Sequence, residues 1–194
     1  MGKRAEQKEK QRQHLLDVSL DLFVRRGYHG TTVRDIAVQA DTSVGLLFHY
    51  FPTKQVILEE LAAFARVGNS AARELLAAPL PPLHIFEQIA EMTFHYLEEP
   101  AASRLFLLVN QINTLESIPE PIRELVSSRE VVRASVPLIL KGQDMGEIKQ
   151  GDALSLALAF WGAMQGIAEA RLWFPDAPVP DAQCIVDLLK THRQ

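Results

Sequence analysis

The sequence predicts an all-α protein, and two observations carry that prediction. Apolar residues recur three and four positions apart through almost every segment, which is the period of one helix face. Most of the 10 glycines and 11 prolines fall between these periodic segments, where they interrupt helices. A convincing alternation of β-branched residues, the pattern of a strand, is not found. We therefore expect about nine helices joined by turns.

The first three helices are predicted from the residues at their ends. A helix at 7–26 should stop at Gly27, because glycine accepts the left-handed geometry of a C-terminal cap. Thr32 opens a second helix, to about residue 39, and Asp35 completes a capping box. Asp41 suits the following turn, and Ser43 can cap a third helix that ends near residue 51. Two short helices around the turn "ADTS" form a helix-turn-helix.

Longer helices follow. Thr53 starts a fourth helix that reaches about residue 76, where the prolines of "APLPPL" interrupt it. Further helices are predicted at 83–98, 103–115, 121–141, 152–174 and 181–192. Pro137 lies inside one of these ranges, so we expect a kink or an earlier break there.

Charge is distributed unevenly along the chain. The first 54 residues carry nine basic and six acidic residues, a net charge of +3, and the remainder contributes −7. An anion-binding segment joined to a body that does not bind anions would have this distribution. A random fluctuation of charge would produce it equally well.

The third helix has two different faces. Leu47 and Phe51 lie four residues apart on one face, which must pack on the second helix. Gly45 and His49 then point outward. A helix with little exposed charge and a glycine near its start can bring its backbone close to another surface. The major groove of duplex DNA admits a helix in this way.

This region resembles a known family. The stretch "GYHGTTVRDIAVQADTSVGLLFHYFPTKQVIL", residues 27–58, is similar to the N-terminal signature of the TetR/AcrR transcriptional regulators. The matching residues are Gly27, Tyr28, Thr31, Thr32, Val33, Asp35, Ile36, Ala37, Ala40, Ser43, Gly45, Leu47, Tyr50, Phe51 and Lys54. Beyond residue 58 the similarity is only architectural.

The resemblance implies an all-helical homodimer in which each chain has two domains. Residues 1–52 would form the helix-turn-helix DNA-binding domain, and residues 53–194 a helical domain that binds a small ligand and dimerises. Two residues depart from the family pattern inside the third helix. Phe48 replaces a tyrosine whose hydroxyl normally reaches a phosphate, and Leu46 replaces a frequent threonine or serine. Base reading is therefore expected to depend on His49, on the backbone around Gly45 and on apolar contacts with thymine methyl groups. The apolar contacts would come from Val44, Leu46 or Phe48.

The candidate DNA-binding residues surround the outward face of the third helix. They are Thr32, Arg34, Ser43, Val44, Gly45, Leu46, Phe48, His49, Tyr50 and Lys54. The residues at the edge of this face are predicted to contact phosphates; they are Thr32, Arg34, Tyr50 and Lys54. Phe48 and Tyr50 could instead be core aromatics. Lys54 stands at a helix start, where a cation is unfavourable, so a phosphate would stabilise it. The basic N-terminal segment is either a solvated helix end or an arm for the minor groove.

The helix at 152–174 is apolar nearly all round, so it must be buried on more than one side. Its larger residues are expected inside the subunit: Leu154, Leu158, Trp161 and Leu172. Its small residues would admit a helix of a second subunit: Ala157, Ala163, Gly166 and Ala170. Together with the predicted helix at 181–192, these small residues predict a homodimer interface of four helices, two from each subunit. The alternative is a thick monomeric core.

Apolar residues mixed with a few polar ones are candidates for an effector pocket. They are Phe64, Phe86, Phe94, His95, Phe106, Asn110, Asn113, Trp161, Met164 and Gln165. Ordinary core packing is the alternative for each of them. Buried amide side chains need hydrogen-bond partners, so the mixture predicts a medium-sized, largely apolar ligand. No cofactor is expected.

Enzymatic function is not expected. The pairs His84 with Glu87 and His95 with Glu98 have metal-ligand spacing, but they lie on one predicted helix, about 16 Å apart at about 1.5 Å per residue. They cannot share a dinuclear site of the kind found in helical bundles. Cys184, the single cysteine, lacks a persuasive base.

The composition predicts a cytoplasmic protein without a membrane span. The charged start "MGKRAEQKEKQRQ" is not followed by the apolar stretch of a secretion signal. The most apolar segment is shorter than the about 18 to 20 residues that cross a bilayer.

The resemblance to the TetR/AcrR regulators and the outward face of the third helix together imply the function. We predict a ligand-responsive dimeric transcriptional regulator, a repressor acting on a palindromic operator. The alternative is a helical ligand-binding or protein-interaction dimer with a vestigial DNA-binding head.

Overall fold

The computed structural model describes residues 2–191, which form ten α-helices joined by turns. They are α1 (Lys3–Arg26), α2 (Val33–Gln39), α3 (Val44–Tyr50), α4 (Lys54–Leu76), α5 (Pro82–Tyr96), α6 (Pro100–Thr114), α7 (Glu120–Leu125), α8 (Arg129–Asp144), α9 (Ala153–Trp173) and α10 (Gln183–Val186). Over these residues, extended pairing is limited to one isolated antiparallel bridge between Ile148 and Lys190. The prediction of an all-α fold is confirmed.

The helix-turn-helix forms as its capping residues predict. The Thr32 hydroxyl accepts a hydrogen bond from the Asp35 N–H at 3.1 Å, and the Asp35 carboxylate accepts one from the Thr32 N–H at 2.8 Å. Asp41 takes the left-handed φ of 47° in the turn, and Ser43 Oγ accepts from the Leu46 N–H at 3.1 Å. Both α2 and α3 therefore begin at a side-chain cap.

Buried apolar residues form two clusters. The first core joins α1, α2, α3 and the start of α4 to α6 and α7, and it includes Phe23, Leu47 and Phe51. The second core joins α5, α8, α9 and α10 around Phe86 and Phe160, whose rings meet edge to face at 4.9 Å between centroids. The head of the molecule, α1–α3, thus shares its core with helices that come much later in the sequence.

Helix α6 contributes to both cores. Leu105, Leu108 and Ile112 are buried in the first core, whereas Ala102 and Phe106 belong to the second. Residues three and four apart share a helix face, so two faces of α6 contact two different sets of helices. A displacement of α6 would therefore disturb packing in the head and in the rest of the chain.

The prediction of a single helix at 121–141 is wrong. The chain separates there into α7 and α8, with Val126 fully buried between them. The Val126 carbonyl accepts hydrogen bonds from the side chains of Asn69 and Asn113, each at 3.4 Å. Because this carbonyl binds side chains of α4 and α6, it does not continue a helical hydrogen-bond ladder. The break therefore precedes Pro137, which lies inside α8.

The helix predicted at 181–192 is shorter than expected. α10 ends after four residues, and residue 192 lies outside the described part of the chain. After α10, the Leu189 carbonyl accepts a hydrogen bond from the Lys149 N–H at 2.8 Å. This pairing with the segment before α9 holds the backbone in the extended bridge, so the helix cannot continue.

Part of the prediction for α9 is reversed. Leu154 and Leu158, expected inside, are 46% and 56% exposed, whereas Ala157, expected outside, is fully buried. The side of α9 that packs on α6 and α8 mixes small and large residues. Its buried residues are Ala153, Leu156, Ala157, Phe160, Met164 and Ala168. Trp161 is half-buried, and its indole N–H donates to Ser135 Oγ at 2.9 Å.

Helix α9 is also the helix, among the described residues, with the length and apolar composition of a membrane span. It has 21 residues, and 33% of its most apolar window is buried within the chain. A single helix of this kind does not establish a membrane span, because the core helix of a soluble protein has the same composition.

Candidate nucleic-acid interface

Helix α3 is anchored on one face and open on the other. Leu47 is fully buried, and Phe51, just after the helix, is almost fully buried. Gly45 and His49 are exposed, and Leu46 beside them is 40% exposed. The outward orientation expected for Gly45 and His49 is observed, and the exposed surface is mostly uncharged.

The start of α3 has room for an approaching surface. A Cβ atom placed on Gly45 would meet only Ser43 Oγ, at 3.9 Å, so internal packing does not require glycine there. Glycine inside a helix costs about 1 kcal/mol relative to alanine. Val44 is half-buried against the first core, which leaves the backbone of Gly45 as the accessible part of this turn. This position suits close approach by a partner from outside.

Three aromatic residues follow at the end of α3. Phe48 is 43% exposed, so the alternative of a core aromatic does not describe it. The rings of His49 and Tyr50 meet edge to face at 5.5 Å between centroids. Tyr50 is half-buried and packs against the first core, so it lies at the edge of the open surface.

The start of α2 forms one edge of this surface. Arg34 is exposed there, and Thr32 donates its hydroxyl hydrogen to the Asp35 carboxylate at 2.6 Å. Hydrogen bonds from the Thr32 hydroxyl and from its N–H hold the pKa of Asp35 below its ordinary value, and Arg26 at 3.6 Å acts in the same direction. Thr32 is therefore engaged in the cap, whereas the Arg34 guanidinium can extend toward solvent.

Lys54 lies at the first turn of α4, close to the turn between α1 and α2. Its Nζ donates to the carbonyl oxygens of Tyr28 and Thr31, at 2.7 Å each, and lies 4.2 Å from the centroid of the Tyr28 ring. Burial lowers the pKa of Lys54. The ammonium group predicted to reach a phosphate is thus held by the protein's own backbone in this structure.

Arg12 supports the anchor of α3 from the other side. Its guanidinium forms an ion pair with Glu60 of α4 and lies 5.4 Å from the centroid of the Phe51 ring. In the sequence, Arg12 is one charge of the basic N-terminal segment, and this contact is not predicted. Arg12 and Glu60 are 48 positions apart and belong to no common motif, so no local signal could have paired them.

Polar contacts tie α1 to α6. Arg104 Nη1 lies 3.5 Å from Asp21 Oδ1, and Gln111 Nε2 donates to the Val24 carbonyl at 3.1 Å. These contacts flank the leucines that α6 buries in the first core. The head is therefore attached to the rest of the chain through α6 as well as through α4.

The effector-pocket candidates do not come together in one cavity. Phe106, Asn110 and Gln165 lie together in a small space where α6 meets α9. Phe94 and His95 line a separate cleft beside α5. The ten residues therefore belong to several parts of the molecule.

The other five candidates have different surroundings. Phe86 and Met164 are buried in the second core, and Phe64 is exposed on α4. Trp161 binds a serine hydroxyl of α8, and Asn113 binds the carbonyl between α7 and α8. For Phe86 and Met164, ordinary core packing describes the observed positions.

The cleft beside α5 is open and acidic. Its volume is about 440 Å³, and the segment before α10 forms its opposite wall. Its carboxylates are Glu87, Glu91, Glu98 and Asp181. Glu98 lies 3.2 Å from His95 Nδ1. Among the described residues, no group of three or more histidine, cysteine, aspartate or glutamate side chains is arranged to hold a metal ion.

Comparison with known proteins agrees with the geometry of α2 and α3. Residues 15–61 match the family model described as "Bacterial regulatory proteins, tetR family". The N-terminal part of the chain therefore matches the TetR family. The chain is 33% identical over 92 residues to the HTH-type transcriptional repressor KstR2 of Rhodococcus jostii (strain RHA1). That alignment covers 47% of the chain and 45% of the repressor, so it spans less than half of this relative.

Solved structures of TetR-family proteins share the fold over nearly the whole chain. The ketosteroid transcriptional regulator KstR2 of Mycobacterium tuberculosis has a TM-score of 0.74 at 18% identity, covering 93% of this chain and 95% of that one. AibR, in complex with isovaleryl coenzyme A and operator DNA, has a TM-score of 0.71 at 18% identity, covering 93% and 98%. At these identities the likeness shows the fold alone.

Proposed function

We propose that this chain is a TetR-family repressor of transcription, homodimeric and cytoplasmic, which binds a palindromic operator and is released by a small, largely apolar effector. The observation that carries the proposal is the burial of Leu47 and Phe51, which leaves the opposite side of α3 free for a DNA groove. Residues 1–52 are the proposed DNA-binding domain, and residues 53–194 the proposed domain for effector and dimer. The proposal includes neither catalysis nor a cofactor.

DNA contacts are proposed for the open face of α3 and for its edges. The residues that meet base edges are Ser43, Val44, Gly45, Leu46, Phe48 and His49. Arg34 and Tyr50 at the edges contact phosphates, with Thr32 beside them. Phosphate contacts fix the register of the protein, whereas groove contacts select the sequence.

A second subunit is proposed to cover the exposed side of α9. Leu154, Leu158, Gly162 and Gly166 recur every four residues on this exposed side, so they share one helix face. Leu140 is exposed on the neighbouring α8. We therefore assign the interface to α8 and α9, because α10 is too short to supply the second helix of the predicted pair. A two-fold axis would relate the two copies of α3 and require a palindromic operator.

The effector is proposed to bind where α6 meets α9. Phe106 supplies apolar surface there, and Asn110 and Gln165 supply hydrogen-bonding groups. The space is small, so an effector would have to separate the two helices. Because α6 also carries part of the first core, this separation would change the position of the head. An affinity difference of about 100-fold between the two conformations would supply about 2.7 kcal/mol of coupling.

Binding to duplex DNA tests the proposal directly. We expect the protein to enrich a palindromic sequence from a pool of randomised duplexes and to retard it in a gel, and DNA upstream of the chain's own gene is a second probe. Leu46→Glu should abolish retardation, because it places a carboxylate on the face that meets DNA. Leu115→Glu is the matched control, since Leu115 is 39% exposed but lies beyond α6.

The alternative of a dimer with a vestigial head predicts a different result. Such a protein would enrich no sequence, and Leu46→Glu and Leu115→Glu would behave alike. That outcome would overturn the proposed function.

A further inference from the structure

Lys54 uses its hydrogen-bonding capacity within the protein. An ammonium group has three N–H donors. Two of them are directed at the carbonyl oxygens of Tyr28 and Thr31, and the Tyr28 ring lies against the same cation. Unless these contacts were given up, Lys54 could offer a phosphate at most its one remaining donor.

The turn that Lys54 holds also leads directly into α2. Thr31 is fully buried, and its hydroxyl donates to the carbonyls of Gly27 at 2.9 Å and Leu22 at 3.2 Å. The next residue, Thr32, is the N-cap of α2. The path of the turn therefore fixes where α2 begins, and α2 packs against α3.

The Tyr28 ring completes this arrangement. It meets the buried Phe23 ring edge to face at 5.3 Å between centroids, so the turn is fixed to α1 on one side and to Lys54 of α4 on the other. Burial raises the pKa of Tyr28, and Glu59 of α4 contributes in the same direction. The first turn of α4 thus contacts both the backbone and the ring of the turn.

We infer that Lys54 is a positioning residue of the DNA interface, which holds the α1–α2 turn on the start of α4 and acts on operator binding through α2 and α3. The inference rests on the proposed function, and it replaces the phosphate contact predicted for Lys54. Because α4 leads to the rest of the chain, the same contact transmits the position of α4 to α2.

The test compares Lys54→Met with Arg34→Met over a range of salt concentrations, using the duplex enriched by the wild-type protein. Methionine keeps the apolar stem of Lys54 and removes its donors. We expect Lys54→Met to weaken operator binding about tenfold with an unchanged slope of log affinity against log salt. Arg34→Met should reduce the magnitude of that slope by about 0.9, the value for one lost phosphate contact. A slope change of this size for Lys54→Met would overturn the inference, as would unchanged affinity.

A second measurement needs no DNA and separates this inference from the proposed function. Hydrogen exchange of the free protein should become about tenfold faster at Thr31 and in the first turn of α2 when Lys54 is replaced by methionine. Lys141→Met, an exposed lysine of α8, is the matched control and should leave exchange there unchanged. Unchanged exchange in Lys54→Met would overturn the inference even if the wild-type protein binds its operator.

Tyr28→Leu keeps the test decisive if Lys54→Met fails to fold. This variant removes the ring beside the ammonium but leaves Lys54 free to reach a phosphate. We expect weaker operator binding at an unchanged salt slope. Wild-type affinity would contradict the positioning role.

Discussion

His49 is the exposed polar side chain on the open face of α3, and its imidazole can donate to or accept from a base edge. We predict that His49→Ala changes the preference among operator duplexes that differ at one base pair. The expected effect is about 1 to 3 kcal/mol at the base pair it contacts and little elsewhere. Binding measurements on a set of singly substituted duplexes would show it. Equal losses on every duplex would count against base reading, and His95→Ala, an exposed histidine of α5, is the control.

Asp35 makes the start of α2 sensitive to acid. Its pKa is lowered chiefly by the hydrogen bond from the Thr32 hydroxyl, so the ionised form stabilises the folded state. This contribution is fully present above the ordinary range of an aspartate pKa and is lost as pH falls through the lowered value. We predict that Thr32→Val lowers the free energy of unfolding by about 1 kcal/mol at neutral pH, and that the difference from wild type narrows in acid.

Thr53→Val is the matched control for this pH dependence. Thr53 caps α4 by accepting from the Val56 N–H at 3.2 Å, and the residue at the position equivalent to Asp35 is a valine. Its destabilisation should therefore be nearly the same at acidic and neutral pH in denaturant titrations. If the difference in the free energy of unfolding between Thr32→Val and wild type is also independent of pH, the role assigned to the Asp35 charge is contradicted.

At the scale of elements, the two faces of α3 should separate stability from binding. Leu47→Ala leaves a cavity in the first core and should lower the free energy of unfolding by about 2 to 5 kcal/mol. Leu46→Ala removes an exposed side chain, so its effect on unfolding should be small while operator affinity falls. Denaturant titration and gel retardation of the two variants check this. Similar losses of stability would mean that α3 has no open face.

Elements whose signals are local could be predicted from the sequence. The caps at Thr32 and Ser43 and the left-handed turn at Asp41 depend on residues within three or four positions, and all are found. The break at Val126 and the shortened α10 depend on hydrogen bonds with distant segments, so local patterns did not predict them. In the candidate site, the exposed face of α3 followed from helix periodicity. The contacts of Arg12 and Lys54 did not follow from periodicity, because their partners are distant in the sequence: Arg12 binds Glu60 of α4, and Lys54 binds the turn between α1 and α2.

The faces of α9 show why composition alone was insufficient. A helix that is apolar nearly all round can bury any of its faces, and periodicity does not choose between them. The side that packs on α6 and α8 carries Leu156, Phe160 and Met164 among alanines, and Leu154 and Leu158 are left outside. The proposal of a second subunit rests on these outer leucines.

At the scale of the whole molecule, the proposed interface predicts an association defect. Leu158→Glu places a carboxylate in the centre of the exposed face of α9 and should raise the dissociation constant of the dimer at least about tenfold. Sedimentation equilibrium measures this directly. Leu188→Glu, at an exposed leucine after α10, should leave association unchanged. The reverse result would assign the interface to the C-terminal segment instead of to α9.

The contribution of Leu105, Leu108 and Ile112 to the first core bears on the design of chimeric regulators. A hybrid that joins residues 1–52 to the sensory part of another protein would lose these three side chains, and the underside of α1 would meet foreign residues or water. Grafting the helix-turn-helix of this protein onto another chain would therefore require transplanting the matching surface of α6 and α7 along with it.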